Sequence, residues 1–230
     1  MKKMICVLIV LSSSMTIVCG QQNKFYIGIE GGPGLSHLRY IDPVEKNAMT
    51  FGFSGGLFFQ YNFPKIFSIR TNIAFERKSS RDQLTITSSG YDQYSIVKTT
   101  ANLNYDYLVM PVLFKATFGK KINYFINAGP YFGYLLSQEF KYVYYDLHNN
   151  FNQTASDKRY DIGLTAGLGI SIPIKDRYLI SCEIRNNLGL IDINNTSYPY
   201  YPLSKTKTNS TNLQFGVAYK LGTRPKETKG

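Results

Sequence analysis

The chain has 230 residues, 26 lysines and arginines against 15 aspartates and glutamates, and a formal charge of +11. That length suits one domain, and no Pro- or Ser-rich linker divides it. Three cysteines and two histidines exclude a disulfide-dense framework and give no clustered metal site; after the first twenty residues no apolar run is long enough for a membrane helix.

Residues 1–20 read as a secretory signal peptide. Lys2 and Lys3 supply the basic start, Met4 to Val18 the apolar-to-hydroxyl stretch, and Val18-Cys19-Gly20 a small-residue exit before Gln21. Cys19 would suit a lipoprotein, but Val18 is larger than the residue usually found before a lipidated cysteine. Cleavage lowers the charge from +11 to +9 by removing two lysines, and leaves Cys182 with no intramolecular partner. Export turns the basic surplus away from nucleic acid and toward outer-membrane lipid and lipopolysaccharide.

The first strand is expected from Lys24 to Leu38. Phe25, Ile27 and Ile29 fall on one face, and Tyr26, Gly28, Glu30, Gly32 and Gly34 on the other. A polar loop, Arg39 to Thr50, leads to a second strand, Phe51 to Tyr61. There Phe51, Phe53, Leu57, Phe59 and Tyr61 oppose Gly52, Ser54, Gly56 and Gln60. After the short turn Asn62 to Lys65, the third strand (Ile66 to Lys78) sets Phe67, Ile69, Thr71, Ile73 and Phe75 against Ser68, Arg70, Asn72, Ala74, Glu76 and Lys78. Ser79 to Asn102 is long and polar yet rich in Tyr, Thr and Ile, so that hairpin is expected to project beyond the membrane.

In the fourth strand, Leu103 to Phe118, the phase that turns Leu108, Met110, Val112, Phe114, Ala116 and Phe118 outward places Lys115 inside. The opposite phase would put a lysine in lipid, at a cost of a few kcal/mol near the midplane. A short turn at Gly119 to Lys121 precedes a fifth strand, Ile122 to Leu136, with Tyr124, Ile126, Ala128, Phe132 and Tyr134 outward. A third long loop, Ser137 to Arg159, follows.

The sixth strand is the clearest. From Tyr160 to Ile172 the even positions are apolar without a break and the odd ones small or polar, Asp161 among them. A soluble sheet would keep its bulk toward a core; here the polar face has almost none. After Pro173 to Asp176, the seventh strand (Arg177 to Leu190) alternates Tyr178, Ile180, Cys182, Ile184 and Leu188 with Ser181, Glu183, Arg185 and Asn187. A fourth long loop, Ile191 to Ser210, leads to the eighth strand, where Leu213, Phe215, Val217, Tyr219 and Leu221 oppose Asn212, Gln214, Gly216, Ala218 and Lys220.

The expected fold is therefore all-β: an eight-stranded antiparallel up-and-down transmembrane β-barrel over residues 21–221, with short periplasmic turns, four long extracellular loops and a basic periplasmic tail at 222–230. Tyrosine and phenylalanine must form both interfacial belts, since the chain has no tryptophan.

Tyr107-Leu108-Val109-Met110-Pro111-Val112-Leu113-Phe114-Lys115, then Ala128-Gly129-Pro130-Tyr131-Phe132-Gly133-Tyr134, resemble the PorT-like outer-membrane β-barrel family, and Asp161 to Gly169 and Arg185 to Leu190 are similar to its later strands. The resemblance covers nearly all of the mature chain. It implies an eight-stranded barrel in the outer membrane and, from the best-known members, a part in protein secretion. Val109 departs from the family, where glutamate is common, which leaves Lys115 without that partner on its own strand. The basic tail departs as well, so the insertion machinery would read an internal segment around Phe215 to Leu221.

Glu30, Arg70, Glu76, Lys115, Asp161, Glu183, Arg185 and Lys220 are all expected in the lumen, as a structural plug of paired charges. No catalytic, cofactor-binding or metal-binding residues are assigned. Adjacent residues of a strand point to opposite faces, so Ser36 and His37 make no dyad for a lipid-modifying enzyme, and His148 lies far along in the third loop. The expected function is non-enzymatic: surface loops binding a partner, or a role with an envelope or secretion protein. A small pore, a barrel enzyme acting on lipid and a soluble lipocalin-like carrier are the alternatives.

Overall fold

Strands with one apolar and one slim polar face must either stack or curl, and here they curl until the first meets the last. The computed structural model describes residues 24–40, 47–89, 94–144, 147–152, 154, 157–175, 177–195 and 205–222. The expected signal peptide, residues 41–46 of the first loop, and residues 223–230 of the tail lie outside them. The strands are β1 (Phe25–Tyr40), β2 (Asn47–Asn62), β3 (Phe67–Ser89), β4 (Tyr94–Gly119), β5 (Asn123–Tyr144), β6 (Leu147–Asn152), β7 (Tyr160–Ile174), β8 (Tyr178–Gly189) and β9 (Thr206–Lys220). Antiparallel pairing runs β1–β2–β3–β4–β5–β7–β8–β9, and β9 returns to β1 from Tyr26↔Lys220 to Tyr40↔Thr206. This is a closed barrel of eight strands.

The phase of the wall follows the alternation. Leu164, Leu168, Phe215 and Val217 stand on the outside, 52%, 62%, 55% and 48% exposed, while Asp161, Thr165, Asn212 and Gln214 on the same strands are buried. A soluble carrier would show the reverse. Rings gather at two levels of this outer surface. Near the short turns Phe25 packs on Tyr61 (centroids 4.7 Å apart) and Tyr178 on Tyr219 (5.5 Å); toward the other end Phe53 stacks on Phe75 (5.4 Å) and Tyr160 on Phe132 (5.7 Å).

The third short turn is tighter than expected, since Pro173 and Ile174 still belong to β7, while the first two keep their expected lengths one residue further on. Gly119 turns the chain at φ +117°, a region that side chains avoid, whereas Lys65 and Lys175 enter left-handed turns without glycine.

At the opposite end, much of what reads as loop is strand. β3 and β4 stay paired to Ser89↔Tyr94, and β9 begins at Thr206 rather than after Ser210. Within the expected third loop β5 continues to Tyr144 and folds back as β6, pairing Glu139↔Asn152 to Tyr144↔Leu147. β6 is thus a ninth strand outside the closure. It takes the place beside β5 that β7 holds lower down, where Asn123↔Ser171 to Tyr134↔Tyr160 are paired.

The interior holds more than glycine and ions. An upper apolar cluster joins Leu38, Tyr105, Tyr107, Val109, Tyr131, Leu135 and Ile193, and a lower one joins Phe58, Leu179 and Ala218 with Tyr26 against it. Gly28 makes room for the lower one: a Cβ there would stand 2.5 Å from both the Phe58 ring and the Val217 carbonyl.

Candidate functional site

The polar lumen is built in tiers. Residues two apart on a strand share a face, so Glu183 and Arg185 of β8 both point to the axis, opposite Glu30 of β1 and Arg70 of β3. Arg185 donates to both carboxylates: Nη1 to Glu30 Oε1 at 2.6 Å, Nη2 to Glu30 Oε2 at 3.1 Å, Nε to Glu183 Oε1 at 2.7 Å and Nη2 to Glu183 Oε2 at 2.8 Å. Arg70 and Asn72 also donate to Glu30, Arg70 Nη1 lies 3.7 Å from Glu183 Oε2, and Asn127 donates to Glu183 at 2.9 Å. Four charges therefore neutralise one another out of water, where an isolated ion would be costly. Beneath them the Arg70 guanidinium lies 3.8 Å from the centre of the Phe58 ring.

The next tier is Glu76 alone. It accepts from Asn187 (3.0 Å), Ser210 (2.6 Å) and Asn212 (2.7 Å), all neutral donors. Above it Lys78 Nζ bonds Asp161 Oδ2 at 2.8 Å, an oxygen that also accepts from Thr208 (2.6 Å) and Tyr131 (3.0 Å). The lysine sits between the rings of Tyr107 and Tyr131, 5.2 and 4.9 Å from their centres.

A continuous apolar exterior around a lumen of buried polar and charged side chains is the arrangement of a barrel that crosses lipid. The family model described as outer membrane protein beta-barrel domain matches residues 19–195. The chain belongs to that family. Among solved structures this outer-membrane barrel is similar to the neisserial surface protein A (13% identity, 86% of this chain and 97% of that one, TM-score 0.44). It is also similar to OprG of Pseudomonas aeruginosa (14%, 90% and 100%, 0.46) and to the outer membrane protein W of E. coli (11%, 88% and 100%, 0.40). Identities this low carry no role from those proteins to this one. No curated protein matches.

The outer-membrane barrel brings Glu30, Arg70, Glu183 and Arg185 together, sets Glu76 one tier up, and places Asp161 with Lys78 at the top. Lys115 is buried on the short-turn side of the cluster, where its ammonium meets the Gln60 amide oxygen at 3.2 Å and the Phe125 ring at 3.7 Å. Val109 lies in the upper apolar cluster instead of supplying a carboxylate. Lys220 is half-buried beside Tyr26 at the rim, apart from the others. Ser36 faces the lumen, bonded to the Ser79 backbone at 2.8 and 2.5 Å, while His37 is on the other face; Cys182 is half-buried. Among the described residues no group of three His, Cys, Asp or Glu gathers to hold a metal.

Hydropathy alone missed Phe58 and Phe125, whose rings underlie Arg70 and Lys115. The signal was their place in the alternation, between Gly56 and Gln60 and between Asn123 and Asn127.

A latch over the upper end was not legible. Ile193, fully buried, plugs the mouth from the β8–β9 connection. Its carbonyl accepts from the Lys158 amide at 2.8 Å and its amide donates to Thr206 at 2.9 Å; Lys158 Nζ lies 3.5 Å from Asp192, whose carboxylate also accepts the Asn194 and Thr206 amides at 3.1 and 2.9 Å. Asp157, bridged to Asn194, has one buried carboxylate oxygen with no partner among the described residues. Burial pushes its carboxyl up to about 6, against a hydrogen bond from Tyr105 and with a smaller push from the Asp192 charge.

Proposed function

We propose that this is a non-enzymatic outer-membrane barrel, exported by a cleaved signal in residues 1–20, that holds a β-sheet outside the lipid to bind a protein partner. The partner is at the cell surface or in an envelope or secretion assembly, the latter in keeping with the PorT-like resemblance. Lipopolysaccharide is the expected neighbour of the outward face of the barrel at its long-loop end. The observation that carries this reading is the four-stranded extension of β3, β4, β5 and β6. Above Tyr134 β5 leaves β7 and pairs with β4 and β6, while at the same level β3 still pairs with β2 up to Asp82↔Asn47 and only beyond it runs on with β4 as a two-stranded hairpin; the outer edge of β6 has no strand beside it among the described residues. Tyr142 of β5 stacks on Phe151 of β6 (centroids 6.1 Å apart) and Phe140 of β5 is tilted against Tyr142 (5.6 Å), so the hairpin carries a ring cluster. A free strand edge with aromatic side chains suits addition of an extended segment from another protein.

The lumen tiers support a plug more than a conduit, since Glu30, Glu183, Arg70 and Arg185, and above them Lys78 and Asp161, bond to one another across the space a water path would need. Deleting Glu139 to Asn152 tests the binding role. The variant should still insert, and crosslinked outer membranes should yield fewer co-purifying proteins than with the wild type; an unchanged set would refute it. Planar-bilayer recording tests the plug: no stable open level is expected, and a steady one would favour the pore.

A further inference from the structure

The charges at the lower end of the lumen do not balance. Glu30 and Glu183 are matched by Arg70 and Arg185, and Lys115 is a fifth charge beside them. Among the described residues no carboxylate lies within ion-pair distance of its ammonium; its contacts are one neutral amide oxygen and one ring. A buried cation held in this way lacks the partner that buried charges ordinarily require.

What lies on its open side is a cavity of about 440 Å³ at the short-turn end of the barrel, walled by Lys115, Ser68, Asn123, Ser171, Tyr26 and Leu179 among others. The Ser68 hydroxyl, in a residue 4% exposed, has no hydrogen-bond partner among the described residues. An uncompensated ammonium, an unused buried hydroxyl and an amide thus converge on one half-open space with an apolar wall at Leu179. In an outer-membrane barrel the short turns face the periplasm, so this space opens there.

We propose that the periplasmic mouth is a binding site for a monoanionic carboxylate carrying a short apolar group, with Lys115 as its counter-ion and Ser68 as a hydrogen-bond donor. Lys65, the other cation on the cavity wall, is exposed to water, so the one buried ammonium matches one carboxylate; a phosphate dianion would bring a second charge with no further buried cation on that wall to meet it. The carboxylate belongs either to a small free acid or to the C-terminus of a periplasmic polypeptide reaching into the barrel.

The test uses the purified protein in detergent micelles and isothermal titration with butyrate, inorganic phosphate, a short acetylated peptide ending in leucine with a free carboxylate, and the same peptide amidated. Butyrate or the free-carboxylate peptide should bind. The stronger of the two identifies the source, and the amide should not compete. Lys115→Met should weaken binding roughly 10- to 100-fold, as expected for one charge-assisted contact. Its folding is checked by heat-modifiable mobility on a gel, and Ser68→Ala, which removes no charge, should independently weaken binding by roughly fivefold. Equal binding of the amidated peptide, preference for phosphate, no binding of either carboxylate, or carboxylate affinity unchanged by Lys115→Met in a folded barrel or by Ser68→Ala would each overturn the proposal.

Discussion

Glu30 is the carboxylate on which two guanidiniums depend. Removing it leaves Arg70 and Arg185 buried with only Glu183 to share, so Glu30→Ala should lower unfolding stability in lipid vesicles by about 3–5 kcal/mol, the usual cost of breaking one side of a buried pair. Adding Arg185→Met removes the surplus positive charge and should recover part of the loss; a single variant as stable as wild type would contradict this reading. The membership of this cluster was legible from parity and charge alone, because a charged residue on an alternating strand has only one tolerable side. Its geometry was not. Nothing in the order of residues says that Arg185, rather than Arg70, would span both glutamates, since that depends on the stagger between β1 and β8, which meet only through β9. The rings of Phe58 and Phe125 escaped for a different reason: hydropathy assigns phenylalanine to lipid, and only the strict alternation around them says otherwise.

Strand ends were the least legible elements. Alternation of apolar and polar residues marks a strand where one face meets lipid, but the upper parts of β3, β4 and β5 read Thr, Ser, Tyr, Asn and Lys at both parities, and the pattern dissolves in the sequence. The latch has no alternating pattern to mark it, since Asp157 and Ile193 lie beyond the paired ends of β7 and β8, where the Asp157↔Asn194 bridge carries that hairpin upward. Its carboxyl does carry a pH dependence. Asp157 is raised from an ordinary 3.8 to about 6, so closing the latch takes up a proton between those values. Closure is therefore favoured toward acid and loses this contribution as pH rises through about 6. Amide exchange at Lys158 and Ile193, corrected for intrinsic rates, should show greater protection at pH 5 than at pH 7, and Asp157→Asn should level the two. Protection that rises with pH would show the carboxylate to be better solvated than its burial indicates. The hairpin is separable from this device, because β5 pairs with β7 only up to Tyr134↔Tyr160; deletion of Glu139 to Asn152 should leave heat-modifiable mobility intact.

At the scale of the whole barrel, eight strands close around side chains arranged by depth: ring and aliphatic groups at the lower end, an ion cluster, a neutral-donor tier around Glu76, a second ion pair, and a tyrosine and isoleucine cap. The count of wall strands and the face that each residue takes followed from period-two alternation, the one regularity that every strand shares. The tiering did not, since depth matching across the lumen depends on stagger between strands far apart in sequence. Everything rests on the apolar side of the wall meeting acyl chains. The chain has no tryptophan, so one introduced ring is an unambiguous reporter. In vesicles containing lipids brominated on their acyl chains, the fluorescence of Leu168→Trp should be strongly quenched and that of Phe58→Trp should not; equal quenching, or quenching at position 58 alone, would contradict the account.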